Sequence, residues 1–324
     1  MKAVVCSKFG PPEALSVEEM PDPTAGEGQI VIDVDSAAVT FPDTLIIEDK
    51  YQFKATPPFI PGGEVAGIVS EVGAGVTGFS VGDRVTGSAG ITGGFAEKVA
   101  VGAASSRVLA DDAGFAESTG MLYAYGTGYY GLKFRGELQP GETLLVLGAG
   151  GSVGMAAVEL GKLMGARVIA AASRDDKLAL CKERGADEVI NYSTENLKER
   201  AKELTGGQGV NVVYDAVGGD YAEQALRAIA WGGRFLVIGF TAGIPAVPFN
   251  LALLKSCQII GVFLGAMVGR EPETKDAIES DLLGFMASGE LRPHISQRYS
   301  LEDAPKALRD MIDRKLVGKV VVAP

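Results

Sequence analysis

The stretch Thr143-Leu144-Leu145-Val146-Leu147-Gly148-Ala149-Gly150-Gly151-Ser152-Val153-Gly154 runs an apolar segment straight into a cluster of glycines. The run from Thr143 to Leu147 suits a strand buried on both faces of a parallel sheet. Gly148, Gly151 and Gly154 give a GxxGxxG spacing, a variant of the dinucleotide fingerprint, with Gly150 in addition. From Val153 to Met164 the spacing is helical, and the small residues Ala156, Ala157 and Gly161 permit close packing of helix on sheet. Strand, glycine loop and helix start together form a site for a pyrophosphate. The backbone turns sharply, lets the anion approach, and aims N–H groups and the positive end of the helix dipole at it. Gly150, Gly151, Ser152 and Val153 are the expected contacts. The alternative, a purely structural left-handed turn, fits the strand–loop–helix context less well.

The second strand, Arg167 to Ala172, selects the cofactor. Dinucleotide sites for NAD usually place Asp or Glu at its tip to bind the ribose 2′-hydroxyl. Here the strand ends Ala170-Ala171-Ala172-Ser173-Arg174, with Lys177 close behind. A carboxylate at the tip would repel a 2′-phosphate, whereas Ser and Arg bind one through charge-assisted hydrogen bonds. The expectation is NADPH. Asp175 and Asp176 are read as the start of the next helix, where acids suit the dipole. Solvated surface residues are the plainer reading of Arg174 and Lys177.

Further strands are expected at Asn211 to Ala216, Arg234 to Gly239 and Ser256 to Phe263. A charged helix from Lys177 to Arg184 ends at Gly185. Strands alternating with helices give an α/β fold with a doubly wound parallel sheet. The first hundred residues read differently. Gln29 to Val34 alternates polar and apolar, and Glu64 to Val72 and Gly82 to Thr86 add short strands between glycine and proline turns. That texture predicts a compact barrel-like domain. Asp276 to Met286 and Leu301 to Arg314 are expected to be helices, and Lys319 to Val322 a final strand able to return to the first domain.

The bulk properties agree with two domains. The chain has 324 residues, 47% of them hydrophobic, and its 44 glycines show no repeat period. A net charge of -11 disfavours nucleic acid as a partner. No apolar run approaches the ~18 residues of a membrane span. The opening MKAVVCSKFG reads as a strand rather than a signal peptide, so the default expectation is a cytoplasmic protein. Three separated cysteines (Cys6, Cys181, Cys257) and one histidine (His294) argue against a disulfide framework and against zinc.

Taken together, these segments resemble the zinc-independent quinone oxidoreductase branch of the medium-chain dehydrogenase/reductase superfamily. The resemblance covers nearly the whole chain. It rests on Phe41-Pro42-Asp43-Thr44-Leu45, Pro58-Phe59-Ile60-Pro61-Gly62-Gly63-Glu64-Val65-Ala66-Gly67, Gly82-Asp83-Arg84-Val85 and Gly93-Gly94-Phe95-Ala96-Glu97. It continues through Tyr125-Gly126-Thr127-Gly128-Tyr129-Tyr130, the glycine loop, Asp215-Ala216-Val217-Gly218-Gly219, Trp231-Gly232-Gly233-Arg234, Val237-Ile238-Gly239-Phe240 and Gly318-Lys319-Val320-Val321-Val322. The resemblance implies a GroES-like β-barrel-type catalytic domain from residues 1–121 and 266–324. A Rossmann domain is inserted at 122–265, with NADPH in the cleft between them. It also implies a homodimer formed through the Rossmann sheet. Ser173, Lys177 and Tyr192 match positions that hold the 2′-phosphate, beside Arg174 from the reading above. Thr127, Gly239, Phe240, Phe263, Leu264 and Gly265 match positions lining the nicotinamide end. Zinc-dependent members carry cysteine where this chain has Thr40 and histidine where it has Gly63. Many quinone reductases of the branch have asparagine at the Thr40 position.

The implied reaction moves a hydride from the nicotinamide to an electron-poor acceptor, so a group must serve the developing oxyanion. Tyr51 is the candidate proton donor and Thr40 the neighbouring polar group, with packing in the cleft as the plainer role for Tyr51. Tyr130 is the candidate substrate contact. The acceptor is a quinone, or in the alternative an enone or 2-enoyl-CoA thioester, for which Lys50, Lys54 and Lys133 are available cations. A non-enzymatic alternative is an NADPH-binding protein of crystallin-like or RNA-binding type. His294 and the cysteines are read as structural.

Overall fold

A computed structural model describes all residues, Met1–Pro324. The chain divides into two compact units, Met1–Met121 with Arg292–Pro324, and Leu122–Leu291.

In the first unit the strand Gln29–Ala38 is the spine. It pairs antiparallel with Glu64–Val72, Lys98–Gly102 and the distant Lys319–Ala323. The sheet then runs outward through Arg84–Ser88 to Ser106–Val108 on one side and to Ile295–Ser300 on the other. Alternation along the spine holds only from Ile32 to Asp35: Ile32 and Val34 are buried and Asp33 and Asp35 exposed, but Ile30, Val31 and Ile32 are buried in succession, so the strand is covered on both faces at its start. Ile30, Ile32 and Val34 pack with Val65, Val69, Phe95, Leu308, Val320 and Val322 in one core. The strand expected at Gly82 starts two residues later, at Arg84. Gly82 and Asp83 belong to a turn, in which the Asp83 carboxylate accepts the Ser80 N–H at 2.7 Å.

The second unit holds a six-stranded parallel sheet. Its order is Glu188–Asn191, Arg167–Ala172, Thr143–Leu147, Val210–Asp215, Ile229–Val237 and Gln258–Gly261. The winding reverses on either side of Thr143–Leu147, whose Leu144, Leu145, Val146 and Leu147 are fully buried. Each such aliphatic side chain contributes about 1.5–3 kcal/mol of burial. The Ser256 strand begins at Gln258, because Ser256 takes a left-handed conformation (φ 48°) that ends the helix Asn250–Lys255.

The second unit also keeps residues beyond 265. The helices Leu264–Arg270 and Pro272–Ala287 lie in it, and the chain returns to the first unit at Arg292. Side chains from the helical stretch Met121–Arg135 explain this. Tyr129 donates to Asp281 at 2.8 Å, Tyr130 to Glu271 at 3.3 Å, and Lys133 pairs with Asp281 at 3.0 Å. Ile278 and Leu282 are completely buried. No helix is long and apolar enough to cross a membrane.

Candidate functional site

The glycine loop sits after the C-terminal end of Thr143–Leu147, at the point where the sheet order reverses and open α/β sheets bind ligands. Its glycines do different jobs. Gly148 has φ 71°, a conformation that favours glycine. A Cβ on Gly154 would stand 2.2 Å from the Gly148 carbonyl oxygen, so helix and loop touch there without room for a side chain. A Cβ on Gly150 would strike the Lys177 side chain at 2.5 Å. Gly151 is different: it is exposed, and a Cβ there meets nothing nearer than 3.5 Å. Its bareness serves no packing of the chain itself. It leaves the N-terminus of the helix Ser152–Leu163 open, with the first-turn N–H groups free of intrahelical partners. That open cradle fits a pyrophosphate.

At the tip of Arg167–Ala172 no carboxylate belongs to the strand. Asp175 and Asp176 occupy the first turn of the helix Asp175–Glu183, as expected. Both are engaged there. Asp175 accepts from Asn191 Nδ2 at 2.6 Å, and Asp176 accepts from Arg174 Nε at 2.9 Å. The Arg174 hydrogen bond holds the Asp176 carboxyl below its ordinary value. Lys177 is buried, its stem lying over Gly150. Tyr192 stacks on Tyr221 with ring centroids 4.3 Å apart, and its N–H donates to the Ala172 carbonyl at 3.1 Å. Ser173 is half-buried, and its carbonyl accepts from Ser193 Oγ at 3.0 Å. The structure thus gathers Ser173, Arg174, Lys177 and Tyr192 at one strand tip and adds Ser193. The short strand Glu188–Asn191 carried no signal that would have marked Ser193.

The neighbouring loop is held by Asp215. Its carboxylate accepts the Val217 N–H at 2.8 Å and the Gly218 N–H at 2.9 Å. Burial pushes this carboxyl up, and the two amides pull against it. The loop touches the glycine loop, since a Cβ on Gly148 would meet Val217 at 2.9 Å. Asp215 opens Asp215-Ala216-Val217-Gly218-Gly219, and nothing in that spacing marks its part in holding the loop. The register Val237 to Gly261 sets Gly239-Phe240 and Phe263-Leu264-Gly265 just past the ends of adjacent strands. Phe240 and Phe263 are exposed, while Leu264 and Thr127 are buried. Tyr130 is only 5% exposed, with its hydroxyl turned to Glu271.

In the first unit Thr40 caps the helix Phe41–Ile46. Its N–H and its hydroxyl both donate to Asp43 Oδ2, each at 2.7 Å. Asp43 is 2% exposed. Burial pushes its carboxyl up to about 6, against hydrogen bonds from Thr40 and from the Gly62 backbone. Tyr51 is half-buried, edge-on to Phe53 at 6.0 Å. Burial, then the charge of Asp43, raises its phenol. A Cβ on Gly63 would lie 2.5 Å from the Gly90 carbonyl oxygen, so that position has no room for a side chain. No three His, Cys, Asp or Glu side chains are grouped to hold a metal ion.

Residues 26–112 match the alcohol dehydrogenase GroES-like domain and residues 152–280 the zinc-binding dehydrogenase domain. The chain is 38% identical to a quinone oxidoreductase-like protein 2 homolog of Nematostella vectensis, over 99% of this chain and 88% of that protein. It is 31% identical to a quinone oxidoreductase of Pseudomonas aeruginosa, over 100% and 99%. The solved quinone oxidoreductase of Escherichia coli complexed with NADPH superposes with a TM-score of 0.90 at 29% identity, covering all of both chains. A mycobacterial relative, also solved with NADPH, gives 0.92 at 31% identity over the full length of both.

The chain belongs to the quinone oxidoreductase branch of the medium-chain dehydrogenase/reductase superfamily. The family fold, a GroES-like unit and a parallel Rossmann-type sheet, is the one described above. Within this branch the cysteines of the present chain stand apart from the motif residues. Cys6 and Cys181 are buried, and burial pushes the Cys181 thiol up to about 12, far from reactive. His294 is exposed beside the strand Ile295–Ser300. Asp43 carries no mark of its part in the sequence. It sits within Phe41-Pro42-Asp43-Thr44-Leu45, and only the fold shows it holding Thr40.

Proposed function

We propose that this chain is an NADPH-dependent oxidoreductase that passes a hydride to a quinone or a related electron-poor carbonyl acceptor without zinc. The observation that carries the reading is the strand tip. Ser173, Arg174, Lys177, Tyr192 and Ser193 gather there, beside a glycine loop whose Gly151 is open for no reason of the chain's own packing. Lys177 and Arg174 would hold the 2′-phosphate by charge, Ser173 and Tyr192 by hydrogen bonds, and the first-turn amides from Gly151 to Val153 the pyrophosphate. Bound NADPH supplies the hydride. Thr127, Gly239, Phe240, Phe263, Leu264 and Gly265 orient the nicotinamide end, and exposed Phe240 and Phe263 exclude water from it.

At the acceptor, Tyr51 donates a hydrogen bond to the oxygen on which negative charge grows, and its raised phenol keeps it protonated across the neutral range. Tyr130 is given no direct contact with the acceptor, since it is only 5% exposed and its hydroxyl donates to Glu271. Zinc independence is supported by Thr40 and by the Gly63 backbone, where no ligand side chain fits. A homodimer through the edge strand Gln258–Gly261 completes the proposal. Ile259 on that strand is 37% exposed, and Phe249, Leu253 and Leu254 just before it are more so. Such an apolar edge invites pairing, and sedimentation of the purified chain at the mass of a monomer would remove it.

The deciding experiment oxidises NADPH against a panel of quinones, enones and enoyl-CoA esters, after NADPH and NADH have been titrated by nicotinamide fluorescence. Quinones are expected to turn over fastest and NADPH to bind tighter. Preference for enoyl-CoA esters would move the acceptor to the thioester class, and tighter NADH binding would sink the phosphate site.

A further inference from the structure

Thr40 has one hydroxyl proton, and the fold has already committed it. Thr40 Oγ1 and the Thr40 N–H converge on one oxygen of Asp43, each at 2.7 Å, and the Gly62 backbone also bonds the same carboxyl. Asp43 is 2% exposed, so solvent does not share the load. An ionised carboxylate is an acceptor only. While Asp43 is charged, Thr40 must donate inward, and it shows only lone pairs to anything bound beside it. Protonated, Asp43 carries a donor of its own and can turn the pair around, so that it donates to Thr40 Oγ1 and the Thr40 hydroxyl donates outward.

We propose that Asp43 is a positioning residue that sets the direction of the Thr40 hydrogen bond, and through it the class of ligand oxygen accepted. This rests on the reading of Thr40 as a residue at the acceptor end of the site. With Asp43 charged, Thr40 suits a ligand that brings a donor, such as the phenolic hydroxyl of a hydroquinone product. With Asp43 neutral, Thr40 suits a carbonyl oxygen and its developing negative charge, and one buried negative charge is gone from its neighbourhood.

The surroundings leave the switch within reach of ordinary pH. Burial lifts the Asp43 carboxyl to about 6, and the hydrogen bonds of Thr40 and Gly62 are the opposing pull. No cation answers it. Lys50 pairs with Glu48, Lys54 with Asp49, and Arg309, on the helix Ala304–Ile312, with Glu13. Tyr51 is the titratable group that feels the Asp43 charge, and it stays a neutral phenol through this range.

The test is kcat/KM for a simple benzoquinone against pH, at saturating NADPH, from about pH 5 to about pH 8. The wild type is expected to fall about tenfold through an inflection near the Asp43 value. Asp43→Asn is expected to give a flat profile, since it cannot titrate, and Thr40→Val a much shallower one, since it has no hydroxyl to turn and only the Asp43 charge still changes. Thr40→Val keeps Asp43 and serves if the asparagine variant does not fold. A flat wild-type profile, an inflection that survives in Asp43→Asn, or one of undiminished size in Thr40→Val overturns the proposal.

A second readout needs neither cofactor nor acceptor. The Asp43 carboxyl, followed by carbon NMR in aspartate-labelled protein, is expected to titrate at higher pH in Thr40→Val than in wild type, because a hydrogen bond that favoured its charge is gone. An unmoved midpoint overturns the Asp43–Thr40 link. Absence of turnover with every acceptor overturns the functional reading instead, and the carboxyl titration then still decides what Asp43 does to Thr40.

Discussion

Lys177 and Asp43 are both ionisable side chains sunk below a tenth of their full exposure, at 8% and 2%. Their settings are opposite. Lys177 lies across Gly150 at the edge of a loop kept open at Gly151, on the first turn of the helix after a strand tip. Asp43 is closed in by the chain's own donors, two from Thr40 and one from Gly62. A charge placed beside an open cradle lies where a bound anion would meet it. A charge wrapped by its own loop acts on its neighbours, and here it spends a hydroxyl proton. On the proposed reading, the same residue property, burial of charge, serves binding in one unit and positioning in the other.

The comparison breaks first at Asp43. Its folded-state value lies above the ordinary carboxyl value of 3.8, at about 6. The native state thus holds the proton more tightly than the unfolded chain between those values. This contribution to stability is full below the unfolded value and is lost as pH rises through the folded one. Asp43→Asn should remove a decline of about 3 kcal/mol between roughly pH 4 and pH 6. Urea melts of both proteins across that window check it, read as a difference because other carboxyls titrate alongside. Equal slopes would mean that Asp43 is less enclosed than described.

The next effect is at Lys177. Lys177→Ala should weaken NADPH by about 2 kcal/mol, close to thirtyfold, and leave NADH almost unchanged. Fluorescence titration of both cofactors measures it. Equal losses would make the lysine a packing residue, like its stem over Gly150.

Glycines sharpen the contrast between open and closed. Gly154→Ala should cost about 1–3 kcal/mol of stability by forcing helix and loop apart. Gly151→Ala should leave the melting temperature in place and weaken both cofactors, since its Cβ meets no atom of the chain nearer than 3.5 Å. The smallest effect belongs to Asp176. Asp176→Ala removes one partner of Arg174 and should tighten NADPH a few-fold, on the order of 0.5–1 kcal/mol for an exposed pair. Unchanged affinity would leave Arg174 outside the phosphate site.

What could be read without coordinates was local. The apolar run, the glycine loop and the acid-free strand tip lie within a few dozen residues, and each follows from strand, turn or helix-end chemistry at its own position. What could not be read depends on pairs far apart. Asp43 gains its character from burial by the fold, which raises its carboxyl, while Gly62, on another segment, adds a hydrogen bond that pulls it back. Ser193 reaches the strand tip through a bond to Ser173, 20 residues away. The helices after residue 265 stay with the central unit because Asp281 meets Tyr129 across 152 residues. Neither periodicity nor capping encodes such meetings. In Phe41-Pro42-Asp43 even a residue inside a family motif keeps its role hidden until its hydrogen bonds are known.

The antiparallel pairing of Gln29–Ala38 with Lys319–Ala323 bears on the order in which the molecule is built. On a ribosome the spine of the first unit is made early, but the strand that flanks it comes out after the whole of Leu122–Leu291. The central sheet therefore has all its strands in hand while the barrel is still missing Val320 and Val322 from its core. Domains close as their chain becomes complete. The nucleotide-binding half is thus set to mature first, and the half bearing Thr40 and Asp43 last.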